Sequence, residues 1–140
     1  MKSAVVVINP ISGAGRAHPG GAQEVELARE TLGRAGYETT VVVTLGPGHA
    51  TETARDAAAR GVQLVVSWGG DGTMNEVARA LAFGPTALAL VPAGSGNGLG
   101  RDLGVPLDPV RALAIAAGGR RRRIDVGEVS GEYFFNVAGV

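Results

Sequence analysis

Apolar residues along this chain fall into short continuous runs rather than an alternating pattern. The runs occupy residues 3–8, 39–43, 62–67 and 87–91, and Gly, Pro or Asn residues lie close to their ends. Uninterrupted apolar runs of this length are typical of parallel strands that are buried on both faces. The pattern therefore predicts a parallel sheet with its helices packed against both sides.

Between and after these runs, apolar residues recur at the three- and four-residue spacing of amphipathic helices. The predicted buried faces are Val25, Ala28, Leu32 and Ala35 in the first helix; Ala50, Ala54, Ala57 and Ala58 in the second; Met74, Val77, Ala78 and Leu81 in the third; and Val110, Leu113, Ala114 and Ala117 in the fourth. Thr73 and Glu76 match a capping box, which predicts that the third helix begins just after a glycine turn. Asp108-Pro109 predicts the start of the fourth helix.

The alternation of strands and helices predicts an α/β domain with a doubly wound, mainly parallel sheet and right-handed crossovers. After the fourth helix, residues 123–129 and 133–137 flank a Ser130-Gly131 turn and predict a closing β-hairpin. A hairpin with nothing to cover it is marginally stable, and this chain stops within an apolar run at Val140. We therefore expect residues 1–140 to form one domain of a longer protein.

Three glycine-rich loops follow the first, third and fourth predicted strands, at residues 9–15, 69–75 and 92–98, and Thr44 ends the second. Each loop taken alone is also compatible with an ordinary tight turn. Because the carboxyl ends of parallel strands share one edge of a sheet, the loops are expected to converge on one ligand. Glycines allow a ligand to approach the backbone closely, and a helix N-terminus attracts anions. The sequence thus predicts a phosphate site, where Asp71 either organises a metal ion or accepts a proton.

Composition excludes several classes of protein. Lys2 is the single lysine among thirteen basic residues, whereas Walker-type nucleotide enzymes and protein kinases both require a lysine at the phosphates. The absence of cysteine excludes disulfides and thiolate metal sites. A net charge of zero gives no electrostatic attraction for nucleic acid. The apolar run at 4–8 is too short for a secretory core or a membrane span, so we expect a cytoplasmic location.

The motifs that identify a family are Asn9-Pro10, Ser12-Gly13, the GGDGT sequence at 69–73, Asn75-Glu76-Val77 and the Pro92-x-Gly94-Ser95-Gly96-Asn97 segment. This ordered set resembles the diacylglycerol kinase catalytic domain family, which includes bacterial lipid kinases and eukaryotic diacylglycerol, sphingosine and ceramide kinases. Residues 124–127 and 133–139 are also similar to the closing strands of the family. The GGDG element alone is shared with NAD kinases and 6-phosphofructokinases, whose nucleotide-binding domains have a related fold.

The resemblance implies an enzyme that uses ATP and Mg²⁺ to phosphorylate the hydroxyl group of a lipid, either diacylglycerol or a sphingoid lipid. It implies a further β-sandwich domain that completes the lipid site and is absent from this chain, so residues 1–140 alone are expected to fold without activity. It implies that Asp71 is catalytic and that no residue of this chain is a dedicated metal ligand. By the same resemblance, ATP contacts fall on Asn9, Pro10, Ile11, Ser12, Gly13, Thr44, Gly69, Gly70, Asp71, Gly72, Thr73, Met74, Asn75 and Ser95.

Several interpretations remain open at this stage. Gly98 stands where an acid commonly follows the asparagine in bacterial members, which leaves the lipid subclass undecided. The run Arg120–Arg123 is interpreted as a solvent-exposed segment that leads into a strand. The alternative is peripheral contact with anionic lipid headgroups. His18 and His49 are expected to face solvent, and a homodimer of the full-length protein is considered. The alternative functions are an NAD kinase-like enzyme and a nucleotide-binding module without catalytic activity.

Overall fold

The computed structural model describes residues 2–11, 21–121, 123–124, 127–129 and 132–134. Its elements are β1 (Lys2–Ile8), α1 (Ala22–Arg34), β2 (Tyr37–Val43), α2 (His49–Ala59), β3 (Leu64–Gly69), α3 (Asp71–Leu81), β4 (Ala87–Pro92), α4 (Gly98–Leu103), α5 (Pro109–Gly118), β5 (Gly127–Val129) and β6 (Glu132–Phe134). The four predicted strands are thus confirmed with shifted ends. The short helix α4 is the element that the apolar pattern does not indicate.

Four strands form one parallel sheet in the order β2-β1-β3-β4. The chain leaves β1 toward one edge to form β2 and then crosses back to form β3 on the other side of β1. The structure confirms the predicted doubly wound α/β fold. In such sheets the order reverses between β1 and β3, and the crevice beyond their carboxyl ends is the usual ligand site.

Helices cover both faces of the sheet, which explains the continuous apolar runs. Ala4, Val6 and Ile8 pack with α1 and α5 on one face, whereas Val5 and Val7 pack with α2 and α3 on the other. Every position of β3 is buried. Since both faces lie against helices, no position of a central strand needs a polar side chain, and period-two alternation disappears.

The fourth predicted helix has the expected start but a different buried face. Asp108 caps α5, its carboxylate accepting a hydrogen bond from the Val110 N–H at 3.1 Å. Leu113 is buried as predicted, but the prediction that Val110 and Ala114 are buried is wrong, because both are exposed and Ala112 faces the core beside Leu113. The helix is apolar around most of its circumference, so the neighbouring sheet and α1 decide which side is buried.

We expect Asp108→Ala to lower the free energy of unfolding by about 1 kcal/mol, the usual cost of losing an N-cap. The cap satisfies one N–H at the start of α5 and has no contact with the loops at the carboxyl edge of the sheet. Urea denaturation of wild type and variant measures the difference. An unchanged midpoint would contradict the importance of this cap.

The closing hairpin is confirmed within narrower limits. β5 pairs with β6 in antiparallel register, Gly127 opposite Phe134 and Val129 opposite Glu132. The remainder of the predicted second strand, residues 135–137, lies outside the described residues. Within the described part of the chain, no helix combines the length and apolar character needed to cross a bilayer.

Candidate active site

The loops after β1, β3 and β4 meet at the carboxyl edge of the sheet, as predicted. Backbone hydrogen bonds continue beyond the strands and hold these loops together. The Asn9 N–H donates to the Trp68 carbonyl at 2.9 Å, and the Ala93 N–H donates to the Gly69 carbonyl at 2.9 Å. The second strand joins the same edge, because the Thr44 N–H donates to the Ile8 carbonyl at 2.8 Å. Trp68, the residue before Gly69, is buried in the core beneath the loops.

The prediction that Thr73 and Glu76 form a capping box is wrong. Helix α3 begins at Asp71 with Gly70 as its N-cap in an extended conformation, and no side chain caps it. Both residues therefore lie inside the helix, where their side chains are free to reach other loops. The first N–H groups of an uncapped helix remain available to an anion. The glycine turn thus leads directly into a helix N-terminus at the place where the sequence predicts a phosphate site.

Thr73 connects the first loop to α3. The Asn9 side-chain amide donates to Thr73 Oγ1 at 3.0 Å, and Asn9 Oδ1 accepts the Ile11 N–H at 3.0 Å. Asn9 thereby fixes the loop that leaves β1 against the helix that follows β3. Pro10 is half-buried and the Ile11 side chain is exposed. Ser12, Gly13 and His18, which the sequence analysis also considered, lie outside the described residues.

The second and third loops touch backbone to backbone. A Cβ at Gly94 would lie 2.6 Å from the Gly70 Cα, and a Cβ at Gly70 would lie 3.2 Å from the Gly94 Cα. A Cβ at Gly69 would lie 2.7 Å from Thr73 Oγ1. By contrast, among the described residues, no atom beyond the backbone of its own helix would lie within 4 Å of a Cβ at Gly72. Close packing therefore favours glycine at the first three positions, whereas Gly72 is an exposed position at the start of the helix.

Asp71 lies between the starts of two helices. It is the first residue of α3, and its Oδ1 accepts the N–H of Gly98, the first residue of α4, at 3.0 Å. A Cβ at Gly96 would lie 2.6 Å from Asp71 Oδ2, so Gly96 leaves the space that this carboxylate occupies. The positive ends of two helices stabilise negative charge at this position. Asp71 is half-buried and remains within reach of a bound ligand.

Asn97 shapes the third loop and was not among the predicted site residues. It is 7% exposed and adopts a left-handed backbone conformation with a φ of 53°. Its Oδ1 accepts the Gly94 N–H at 2.9 Å, and its Nδ2 donates to the Gly94 carbonyl at 2.6 Å. Asparagine is one of the few residues that adopt this conformation readily. That preference is the sequence signal that could have identified Asn97 as a residue that shapes the loop. Ser95 is exposed on the outside of the same loop.

Three residues that the resemblance assigned to ATP are buried or half-buried. The Met74 side chain is buried against Ala78, Leu90 and Leu99. Asn75 is half-buried, and its buried Oδ1 has no hydrogen-bond partner among the residues that the structure describes. Thr44 is also largely buried, at 8% exposure. These residues position the edge of the site, and Asn75 has an acceptor oxygen still to be satisfied.

The expectation that His49 lies in a loop and faces solvent is wrong. His49 is the first residue of α2 and is half-buried. Its Nδ1 accepts a hydrogen bond from the Leu45 N–H at 2.9 Å. The side chains of Arg120, Arg121 and Arg123 are exposed, which agrees with a solvated strand entry. They line a groove of about 850 Å³ beside the outer edge of β4, and Arg122 lies outside the described residues.

Across the described ranges, no group of three or more His, Cys, Asp or Glu side chains forms a metal site. Mg²⁺ is commonly held by one or two carboxylates together with the phosphates of a substrate. The single carboxylate of Asp71, beside an uncapped helix N-terminus, fits a metal ion that arrives with a nucleotide. The arrangement defines an α/β domain in which three loops meet at the carboxyl edge of a parallel sheet.

Comparison with known proteins agrees with this class. The profile of the diacylglycerol kinase catalytic domain matches residues 3–129. The chain therefore belongs to the diacylglycerol kinase catalytic domain family. It is 39% identical to a diacylglycerol kinase of Bacillus subtilis over 143 residues, which covers 99% of this chain and 46% of the relative. It is 42% identical to a Pseudomonas aeruginosa protein named "Probable lipid kinase YegS-like" over 120 residues, covering 84% of this chain and 39% of that protein.

The fold is also similar to that of solved family members. The crystal structure of a diacylglycerol kinase from Bacillus anthracis has a TM-score of 0.76 and 27% sequence identity, covering 95% of this chain and 45% of that chain. The chain thus spans less than half the length of each of these relatives.

Proposed function

We propose that the full-length protein transfers the γ-phosphoryl group of ATP to the hydroxyl group of a lipid, either diacylglycerol or a sphingoid lipid. The observation that carries this proposal is the position of Asp71, whose carboxylate lies between the starts of α3 and α4 where two glycine loops touch. Phosphoryl transfer depends mainly on positioning and on stabilising charge. A backbone anion site with one carboxylate supplies both, and membership of the family supports a lipid as the acceptor.

The residues of this chain have distinct roles in the proposed reaction. The N–H groups at the start of α3 bind phosphate oxygens, and the open face at Gly72 lets them approach. Asn9 and Asn97 fix the first and third loops around the phosphate group. A bound Mg²⁺ would supply positive charge for the phosphate oxygens, with the Asp71 carboxylate as its protein ligand. The hydrogen bond that the Gly98 N–H donates to Asp71 Oδ1 keeps that carboxylate oriented.

The chemical step forms a bond between the lipid oxygen and the γ-phosphorus and breaks the bond between that phosphorus and the oxygen bridging to the β-phosphate. ADP leaves with the bridging oxygen, and the lipid hydroxyl loses a proton. Asp71 either accepts this proton or holds the metal ion, and both roles require its negative charge. The proposal assigns the reaction to the cytoplasmic membrane surface, where ATP and lipid meet. The side chains of Arg120, Arg121 and Arg123 are exposed. In this proposal they contact anionic lipid headgroups at the membrane surface.

We expect the full-length protein to convert ATP and lipid into a phosphorylated lipid when Mg²⁺ is present. The assay supplies γ-labelled ATP with vesicles that contain diacylglycerol, a sphingoid base or neither, and lipid extraction separates the product. A parallel reaction with NAD as the acceptor tests the alternative enzyme. Label in the lipid phase that disappears with EDTA supports the proposal. Label found only in a soluble dinucleotide would contradict it, and ATP binding without transfer to any acceptor would indicate a non-catalytic module.

A further inference from the structure

The loop that follows β2, residues 44–48, is held by two side chains that lie outside it. The Gly48 N–H donates to Glu76 Oε1 of α3 at 2.7 Å. The Leu45 N–H donates to Nδ1 of His49, the first residue of α2, at 2.9 Å. Each end of the loop therefore has one backbone N–H that is bonded to a specific side chain.

Beyond Thr44, this loop has little packing of its own. The Leu45 side chain is 91% exposed, and within the part of the chain that the structure describes, no atom beyond the chain neighbours would lie within 4 Å of a Cβ at Gly46 or Gly48. Gly48 has a φ of +85°, a conformation that glycine adopts without strain. The Thr44 N–H anchors the start of the loop to the Ile8 carbonyl at 2.8 Å, and beyond Thr44 the two side-chain hydrogen bonds restrict where the loop lies.

The loop is tied to the same helix that begins at the phosphate site. Glu76 lies five residues after Asp71 on α3, which corresponds to about 7.5 Å along the helix axis. Its backbone carbonyl also accepts the Thr51 hydroxyl at 3.3 Å, so α2 and α3 are joined beside the loop. The loop also begins at the carboxyl edge of the sheet, where the Thr44 N–H donates to the Ile8 carbonyl at 2.8 Å, so it borders the proposed phosphate site.

We propose that His49 is a positioning residue for the nucleotide: its Nδ1, together with the Glu76 carboxylate, holds the 44–48 loop against the nucleoside part of ATP. This inference rests on the proposed function. An imidazole accepts a hydrogen bond at Nδ1 when its proton is on Nε2, so His49 acts here as a neutral acceptor. It does not touch the reacting atoms and acts through the loop.

The test compares three substitutions of His49 in the full-length protein. His49→Asn places an amide oxygen the same number of bonds from the backbone as Nδ1, His49→Gln places it one bond farther, and His49→Ala removes the acceptor. We expect the Ala and Gln variants to raise the KM for ATP by about five- to tenfold, as expected for loss of one hydrogen bond. The Asn variant should remain near wild type. In all three, kcat and the KM for the lipid should stay within about twofold of wild type.

Hydrogen exchange in the nucleotide-free protein measures the loop independently of any catalytic activity. The Leu45 amide should exchange at least about fivefold faster in His49→Ala than in wild type, and at the wild-type rate in His49→Asn. Asp56→Ala provides a matched control on the same helix, because it removes only an exposed ion pair with Arg60 at 2.8 Å. This control should change neither the exchange rate nor the KM for ATP.

Each possible result of these experiments either supports or overturns the inference. Faster exchange with an unchanged KM for ATP would overturn it, because the loop would then not contact the nucleotide. A fall in kcat alone, or equal rescue by Asn and Gln, would also overturn it. If the wild-type protein phosphorylates no lipid, the proposed function fails, and direct ATP titration of the same variants still tests the loop. If His49→Ala does not fold, the Asn and Gln pair gives the comparison.

Discussion

Asp71→Asn should lower the kcat of the full-length protein by at least about two orders of magnitude, in line with the usual loss of a catalytic acid or base. The substitution removes the negative charge and keeps the shape of the side chain. Its amide oxygen is still able to accept the Gly98 N–H, which the carboxylate accepts at 3.0 Å in the wild-type protein. The expected result is therefore an inactive enzyme with nearly unchanged stability. Lipid phosphorylation and thermal unfolding measure the two properties.

Asp71→Ala serves as the companion variant. It removes both the charge and the hydrogen bond to Gly98, so it should be inactive and should also loosen the start of α4. A loss of activity in both variants, with reduced stability only in the alanine variant, separates the role of the charge from the role of the hydrogen bond. Wild-type turnover in Asp71→Asn would exclude this carboxylate from the reaction.

Gly94→Ala should damage the site through the backbone. The added Cβ would lie 2.6 Å from the Gly70 Cα and 3.3 Å from Asn97 Oδ1, and no flexible side chain is available to yield at the closer contact. We expect the second and third loops to separate, with a loss of about 1–3 kcal/mol of stability as is usual for overpacking. The affinity for ATP should fall at least about tenfold, because a bound phosphate needs both loops in place. Urea denaturation and titration with ATP test these effects.

Gly72→Ala is the matched comparison within the same group of glycines. Because no atom of the described residues beyond the backbone of α3 lies within 4 Å of the new Cβ, the fold should accept it, and alanine favours a helix over glycine by up to about 1 kcal/mol. A methyl group at this position would nevertheless obstruct a phosphate that approaches the start of α3. We expect a stable protein with weakened ATP binding. Unchanged ATP affinity in this variant would place the phosphate elsewhere.

Helix α3 emerges as the element that joins the loops of the candidate site. Asp71 forms a hydrogen bond with the start of α4, Thr73 with the loop after β1, and Glu76 with the loop after β2. Three loops that are far apart in the sequence therefore meet on the first one and a half turns of one helix. A nucleotide bound there would be sensitive to the position of every loop.

The sequence alone determined the architecture of this protein. Continuous apolar runs predicted strands buried on both faces, and the structure places β1 and β3 between two layers of helices. The order of strands and glycine loops predicted one edge for the site, and parallel strands bring their carboxyl ends to that edge regardless of loop detail. These features depend on which residues are apolar and on where glycine occurs. Both properties belong to individual positions of the chain, so they are visible in the sequence.

Tertiary structure decided the partners of individual side chains. The pattern at Thr73 and Glu76 is compatible with a local cap, yet both bond distant loops, because the glycine turn presents α3 next to Asn9 and Gly48. The buried face of α5 is set by the sheet and by α1, since its sequence is apolar on most sides. The role of His49 likewise depends on where the preceding loop turns. Hydrogen bonds between residues far apart in sequence leave no periodic signal, so only the folded chain reveals them.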